Sequence, residues 1–183
     1  GKIMWVHRSD ASGSTKAFTN SMHSFSKTWT LGSAKIVQWP TGIGAKGTSG
    51  VAARIKNTPG SIGYLSSAYI NETIQTAAIE NFSGEFLLPS IKSGRIALKN
   101  VDITNQSFSI DPNPKEKGAY PISTLTWLWV YKSGYGEKLS NIKTTVNFLL
   151  SQEAKGKALK MGFIPLNEKL RDYAMKSIVN IGI

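Results

Sequence analysis

Short apolar runs alternate with helically spaced apolar residues along most of this chain, and that alternation confines it to the α/β class. Residues 2–6 form an apolar run that reads as a buried strand and stops at His7-Arg8-Ser9-Asp10. Phe18, Met22 and Phe25 then recur on one helical face, with Ser12 placed to cap that helix at its N-terminus. Strands are expected at residues 36–40 and 61–65, and a short helix from Val51. Residues 74–79 fit a strand or a short helix equally well. A helix over 89–97 begins at Ser90. Residues 100–122 are polar, carry Pro112, Pro114, Gly118 and Pro121, and read as a long surface connection. The strongest strand signal is Leu125-Thr126-Trp127-Leu128-Trp129-Val130-Tyr131, continuously apolar as in a strand covered on both faces. Helical spacing returns at 143–156, 158–161 and 169–179.

Composition narrows the function classes. The 183 residues carry a net charge of +11, yet residues 1–71 hold one acid, Asp10, two positions from Arg8. The basic residues are scattered, with no block of five like charges and no arginine–aromatic interleaving of the kind that tracks a phosphate backbone. Such a diffuse positive field draws small anions. With no cysteine, disulfides, thiolate metal sites and cysteine nucleophiles are excluded. No apolar run reaches the ~20 residues of a membrane span, and the opening Gly1-Lys2-Ile3-Met4-Trp5-Val6 is too short for a signal peptide.

The segment over residues 3–25 carries the chemistry. An apolar strand delivers Arg8 and Asp10 to its carboxyl end, where open α/β sheets bind ligands. Ser12-Gly13-Ser14 then occupies the first helical turn, where N–H groups lack intrahelical partners and the dipole favours negative charge. Glycine permits close approach of a ligand, and the serines add hydroxyl donors. Arg8 can grip two anion oxygens in fork geometry. Asp10 either holds the Arg8 guanidinium in place or accepts a hydrogen bond from a protonated oxyanion, which sulfate cannot offer. The bland alternative is that Ser12 is only a cap and Arg8–Asp10 only a surface pair.

Other patterns carry less. Gly42-Ile43-Gly44-Ala45-Lys46-Gly47 matches a dinucleotide fingerprint, but it follows Trp39-Pro40, and no acid appears until Glu72, too far on for a ribose ligand. Asn71-Glu72-Thr73, Asn81-Phe82-Ser83 and Asn105-Gln106-Ser107 are glycosylation triplets by pattern only. His7 and His23 are the only histidines, and no nucleophile elbow or carboxylate pair is evident. No catalytic residue, metal or cofactor is therefore expected. His7 stands beside Arg8 as a bystander.

The stretch Val6-His7-Arg8-Ser9-Asp10-Ala11-Ser12-Gly13-Ser14-Thr15 with Phe18-Thr19 resembles the signature of the phosphate-binding subunit of bacterial high-affinity phosphate ABC transporters. Four further islands match in order. They are Trp39-Pro40-Thr41-Gly42-Ile43-Gly44-Ala45-Lys46-Gly47 with Gly50-Val51-Ala52-Ala53, Thr58-Pro59-Gly60-Ser61-Ile62-Gly63-Tyr64-Leu65 with Ala68-Tyr69, Tyr120-Pro121-Ile122-Ser123-Thr124, and Gly162-Phe163-Ile164-Pro165-Leu166. Ala11 replaces the usual glycine, and Ser14 the usual threonine; with Thr15 adjacent, which hydroxyl points inward stays open.

The resemblance implies a type II periplasmic-binding-protein-like α/β fold of two lobes. It implies Arg8, Ser12, Gly13 and Ser14 as phosphate ligands, with Asp10 orienting Arg8. It also implies no enzymatic activity, an ABC permease as partner, and a periplasmic or cell-surface location, lipid-anchored or free. Family members run to roughly twice this length. Residues 1–122 are then expected to form the second lobe and residues 123–183 the segment returning to the first. The N-terminal part of the first lobe is missing, as a fragment's lost half or as a separate chain. A basic domain binding nucleic acid or another polyanion is the competing function, and a steep salt dependence of DNA binding would mark it.

Overall fold

A computed structural model describes residues 1–99, 101–104 and 107–182, and divides the chain into two units, Gly1–Thr124 and Leu125–Ile183. The first is built on a parallel sheet of β1 (Met4–Arg8), β2 (Ile43–Ala45) and β3 (Ser61–Gly63) in the order β2-β1-β3. Val6 pairs with Ile43 on one side and Gly63 on the other. Parallel neighbours require crossovers. These are α1 (Gly13–Phe25) between β1 and β2, and α2 (Gly47–Lys56) between β2 and β3.

Side chains alternate across β1, and the two faces are filled differently. Val6 is wholly buried, as is Val51 on α2, which packs on β1. Trp5, on the other face, lies 5.6 Å from Phe18 of α1, 5.4 Å from Trp39 and 5.8 Å from Tyr64 between ring centroids. β1 runs two residues beyond the apolar stretch, because His7 stacks on Trp39 and Arg8 pairs with Ala45.

The strand expected at residues 36–40 is absent. Its place on the β1 edge is taken by Ile43–Ala45, inside the glycine-rich segment, and Ile36 is 64% exposed. Glycine is demanded there by proximity. A Cβ on Gly42, whose φ is +112°, would sit 2.7 Å from the Trp5 carbonyl oxygen and 2.8 Å from its ring. The apparent dinucleotide fingerprint is thus a strand and a helix start pressed against β1.

Farther on, β4 (Ile79–Glu80) and β5 (Phe86–Leu87) form a hairpin, and α3 (Ile91–Ala97) starts from a Ser90–Ser93 capping box. Residues 75–78 form neither strand nor helix. The stretch read as a surface connection holds a second hairpin, β6 (Asp102–Thr104) with β7 (Ser107–Ser109), and then folds inward. Val101, Ala119 and Pro121 are buried, and the Pro121 carbonyl accepts a hydrogen bond from Ser21 of α1 at 3.2 Å. The Glu85 carboxylate accepts from the Gly118 amide at 2.7 Å and from the Asn81 amide group, and both bonds hold it below the ordinary carboxylate range. Asn81 is itself buried, so its triplet is no glycan acceptor, while Asn105 and Gln106 lie outside the described residues.

The second unit carries α4 (Leu139–Leu149), α5 (Gln152–Lys160) and α6 (Glu168–Ile178), with Leu170, Ile178 and Ile181 buried. The expected strand over residues 125–131 is not formed, and Leu128, Trp129 and Tyr131 are 59%, 88% and 81% exposed. A run covered on both faces becomes a strand only beside neighbouring strands, and among the described residues no named strand pairs with this one.

Candidate anion-binding site

The site grows from the carboxyl end of β1, entirely within Gly1–Thr124. Arg8 ends the strand, and Asp10 follows in the turn that leads to α1. The Arg8 guanidinium donates from Nε to Asp10 Oδ1 at 2.7 Å and from Nη2 to Asp10 Oδ2 at 2.6 Å, a bidentate pair. Its Nη1 donates to Thr48 Oγ1 at 3.3 Å. Three of the five N–H donors of an arginine fork are thereby engaged, and one N–H remains on each of Nη1 and Nη2. The Arg8 side chain is 12% exposed, so it is held in place and still reaches the surface.

Asp10 serves a second element. Its Oδ1 also accepts the Gly47 amide at 3.1 Å, and Gly47 is the first residue of α2, whose N-cap Lys46 makes no side-chain cap. The carboxylate thus occupies the positive end of α2 as a cap supplied from another element. The hydrogen bonds from Arg8, and next that from Gly47, hold Asp10 far below the ordinary carboxylate range. Its bond to Asp10 in turn raises Arg8 above its ordinary value. At neutral pH both groups are charged.

The N-terminus of α1 is arranged differently. Ser12 is its N-cap, 4% exposed, and its Oγ accepts the amides of Ser14 at 3.1 Å and Thr15 at 3.3 Å. Its own amide donates to the Lys35 carbonyl at 2.9 Å, which anchors the cap. The Ser12 hydroxyl hydrogen is left to donate. The Gly13 amide and the Ser14 hydroxyl have no partner among the described residues. Thr15 points the other way: it is 1% exposed and its Oγ1 lies 2.7 Å from Tyr64 Oη. Of the two adjacent hydroxyls, Ser14 is therefore the one available to a ligand.

Arg8, Asp10, Ser12, Gly13 and Ser14 thus share one strand end and one helical turn. His7 stands apart, its ring on Trp39 and its Nδ1 donating to the Arg8 carbonyl at 3.0 Å. Thr48 and Tyr64, both bonded to Arg8, escaped sequence reasoning because they lie 40 and 56 residues away. Among the described residues no group of three His, Cys, Asp or Glu could hold a metal ion, and no helix is long and apolar enough to cross a membrane.

One helix N-terminus is thus neutralised from within, beside another whose Gly13 amide and Ser14 hydroxyl have no partner among the described residues and stand next to a locked arginine. In an α/β unit this arrangement has the chemistry to hold a small oxyanion. The family follows from sequence comparison: residues 1–153 match the PBP superfamily domain, and the chain belongs to that superfamily. It is 32% identical over 198 residues to the phosphate-binding protein PstS of Methanocaldococcus jannaschii, covering 97% of this chain and 51% of that protein. It is likewise 32% identical over 176 residues to PstS of Xylella fastidiosa, covering 92% and 48%, and 31% identical over 182 residues to PstS 3 of Mycobacterium tuberculosis, covering 93% and 48%. The chain spans about half the length of the curated relatives it matches.

Proposed function

We propose that this chain is the carboxyl-terminal portion of a non-enzymatic phosphate-binding protein that serves an ABC importer outside the cytoplasmic membrane. Arg8 grips inorganic phosphate through the N–H groups left on Nη1 and Nη2, and Ser12, Gly13 and Ser14 donate to it from the open end of α1. The observation that carries this reading is the doubly tied Arg8, one short loop from a Gly13 amide that has no partner among the described residues. The names of the relatives support phosphate over other oxyanions. Asp10 holds Arg8. Of the roughly four acceptor positions of a carboxylate, one remains on Oδ2, so a protonated phosphate gains a partner that sulfate cannot use.

Residues 1–122 then form the second lobe, and residues 123–183 return to a first lobe whose remaining strands come from elsewhere in the full-length protein or from a separate chain. The exposure of Leu128, Trp129 and Tyr131 fits a strand that finds its neighbours there. Nothing in the geometry or the relatives favours the nucleic-acid alternative.

Gly13→Ala separates this function from folding. A methyl group there meets no atom within 4 Å, and alanine is the better helix former. The unfolding midpoint is expected to hold or rise slightly, while phosphate affinity in calorimetric titration falls roughly tenfold as the anion loses its close approach to the amide. Unchanged affinity would remove Gly13 from the site.

A further inference from the structure

β3 leaves the sheet one residue too early for β1. The amides of β1 alternate between its neighbours: Met4 donates to the Gly60 carbonyl beside β3 at 3.2 Å, and Ser9 donates to Ala45 of β2 at 3.0 Å. The Arg8 amide faces the β3 side, where the ladder has ended at Gly63. A Cβ on Gly63 would lie 2.5 Å from the Val6 carbonyl oxygen, so only glycine fits this departure. The next residue replaces the missing carbonyl with a side chain, for the Arg8 amide donates to Tyr64 Oη at 3.2 Å. That phenol oxygen also shares a hydrogen bond with Thr15 Oγ1.

From this geometry we infer that Tyr64 is a positioning residue of the anion site, its hydroxyl fixing the first turn of α1 against the end of β1. The connection runs from the Arg8 backbone through Tyr64 to Thr15, whose amide is held by the Ser12 cap. The tyrosine is 8% exposed, and its ring stacks on Phe18 at 4.8 Å and 11°. A ring so confined places its hydroxyl within narrow limits. The spacing between the Arg8 fork and the Gly13 and Ser14 donors therefore depends on one phenol oxygen. Misplacement by even an ångström costs binding and catalytic sites heavily.

This inference rests on the phosphate reading, and its test keeps the two apart. Phosphate titrations of the full-length protein and its Tyr64→Phe, Thr15→Val, Thr15→Ser and doubly substituted Tyr64→Phe/Thr15→Val variants are run well below each unfolding midpoint. Tyr64→Phe and Thr15→Val are each expected to weaken binding about tenfold or more. The double variant falls no further than either alone, because both break one connection. Thr15→Ser, which keeps the hydroxyl, binds as the parent does. If Tyr64→Phe lowers the unfolding midpoint but binds phosphate like the parent, Tyr64 is only a core residue and the inference is overturned. If Thr15→Ser binds as weakly as Thr15→Val, the hydroxyl connection is likewise refuted. A parent protein silent toward phosphate overturns the functional reading itself.

Discussion

Arg8→Ala is expected to weaken phosphate binding by roughly a hundredfold or more at neutral pH, with the protein still folded. Nη1 and Nη2 each keep one N–H donor for an anion, and a hydrogen bond to a charged group contributes about 1.5–3 kcal/mol. Two of them amount to about 3–6 kcal/mol, and each 1.4 kcal/mol is tenfold in affinity. Arg8→Lys is not expected to restore binding. A lysine offers a point charge and no fork, so it cannot hold both Asp10 oxygens and an anion at once. Folding depends less on Arg8, because the Asp10 bond to the Gly47 amide, which caps α2, survives its loss. Titration calorimetry against the unfolding midpoint separates the two effects. An Arg8→Ala protein that binds like its parent removes the arginine from the site.

Gly42→Ala is expected to have the largest effect on stability. The backbone there has φ +112°, which L residues rarely adopt, and the added carbon meets the Trp5 carbonyl oxygen at 2.7 Å. Strain of about 1–3 kcal/mol adds to overpacking of about 1–3 kcal/mol. A loss of roughly 2–6 kcal/mol follows, a large part of the stability of an ordinary domain. Denaturant unfolding measures it directly. A variant as stable as the parent would mean that β2 does not press on β1 as described, and the pattern Gly42-Ile43-Gly44 would need another explanation.

The contrast between these glycines shows what local sequence could disclose. Ser12 ahead of a helix and Ser90 at the start of another are local signals, and each stands where it was expected. The residues that α1 buries, however, are Thr15, Thr19 and Ser21 and not Phe18, Met22 and Phe25. Strands were harder, because a strand exists only through its partners. Residues 36–40 have the composition of a strand and no place on the sheet, whereas Ile43–Ala45 has poor composition and the free edge of β1. The apolar run at 125–131 erred for the same reason, and residues 118–121 turn inward through Asn81, Glu85 and Ser21, which no local pattern announces.

The candidate site follows the same division. Arg8, Asp10, Ser12, Gly13 and Ser14 stand within seven consecutive positions, so their common chemistry was legible. The groups that hold them could not be read from the chain. Gly47, Thr48 and Tyr64 reach Asp10 and Arg8 only because β2 and β3 flank β1. Which of two neighbouring hydroxyls is engaged inside the protein was likewise decided at a distance, by the bond between Thr15 and Tyr64.

Titration of the full-length protein with inorganic phosphate, and separately with sulfate, tests the central claim most directly. Saturable one-to-one binding of phosphate, much weaker binding of sulfate, and loss of the phosphate signal in Arg8→Ala are the results expected. Equal affinity for the two anions, or phosphate binding untouched by Arg8→Ala, would contradict it.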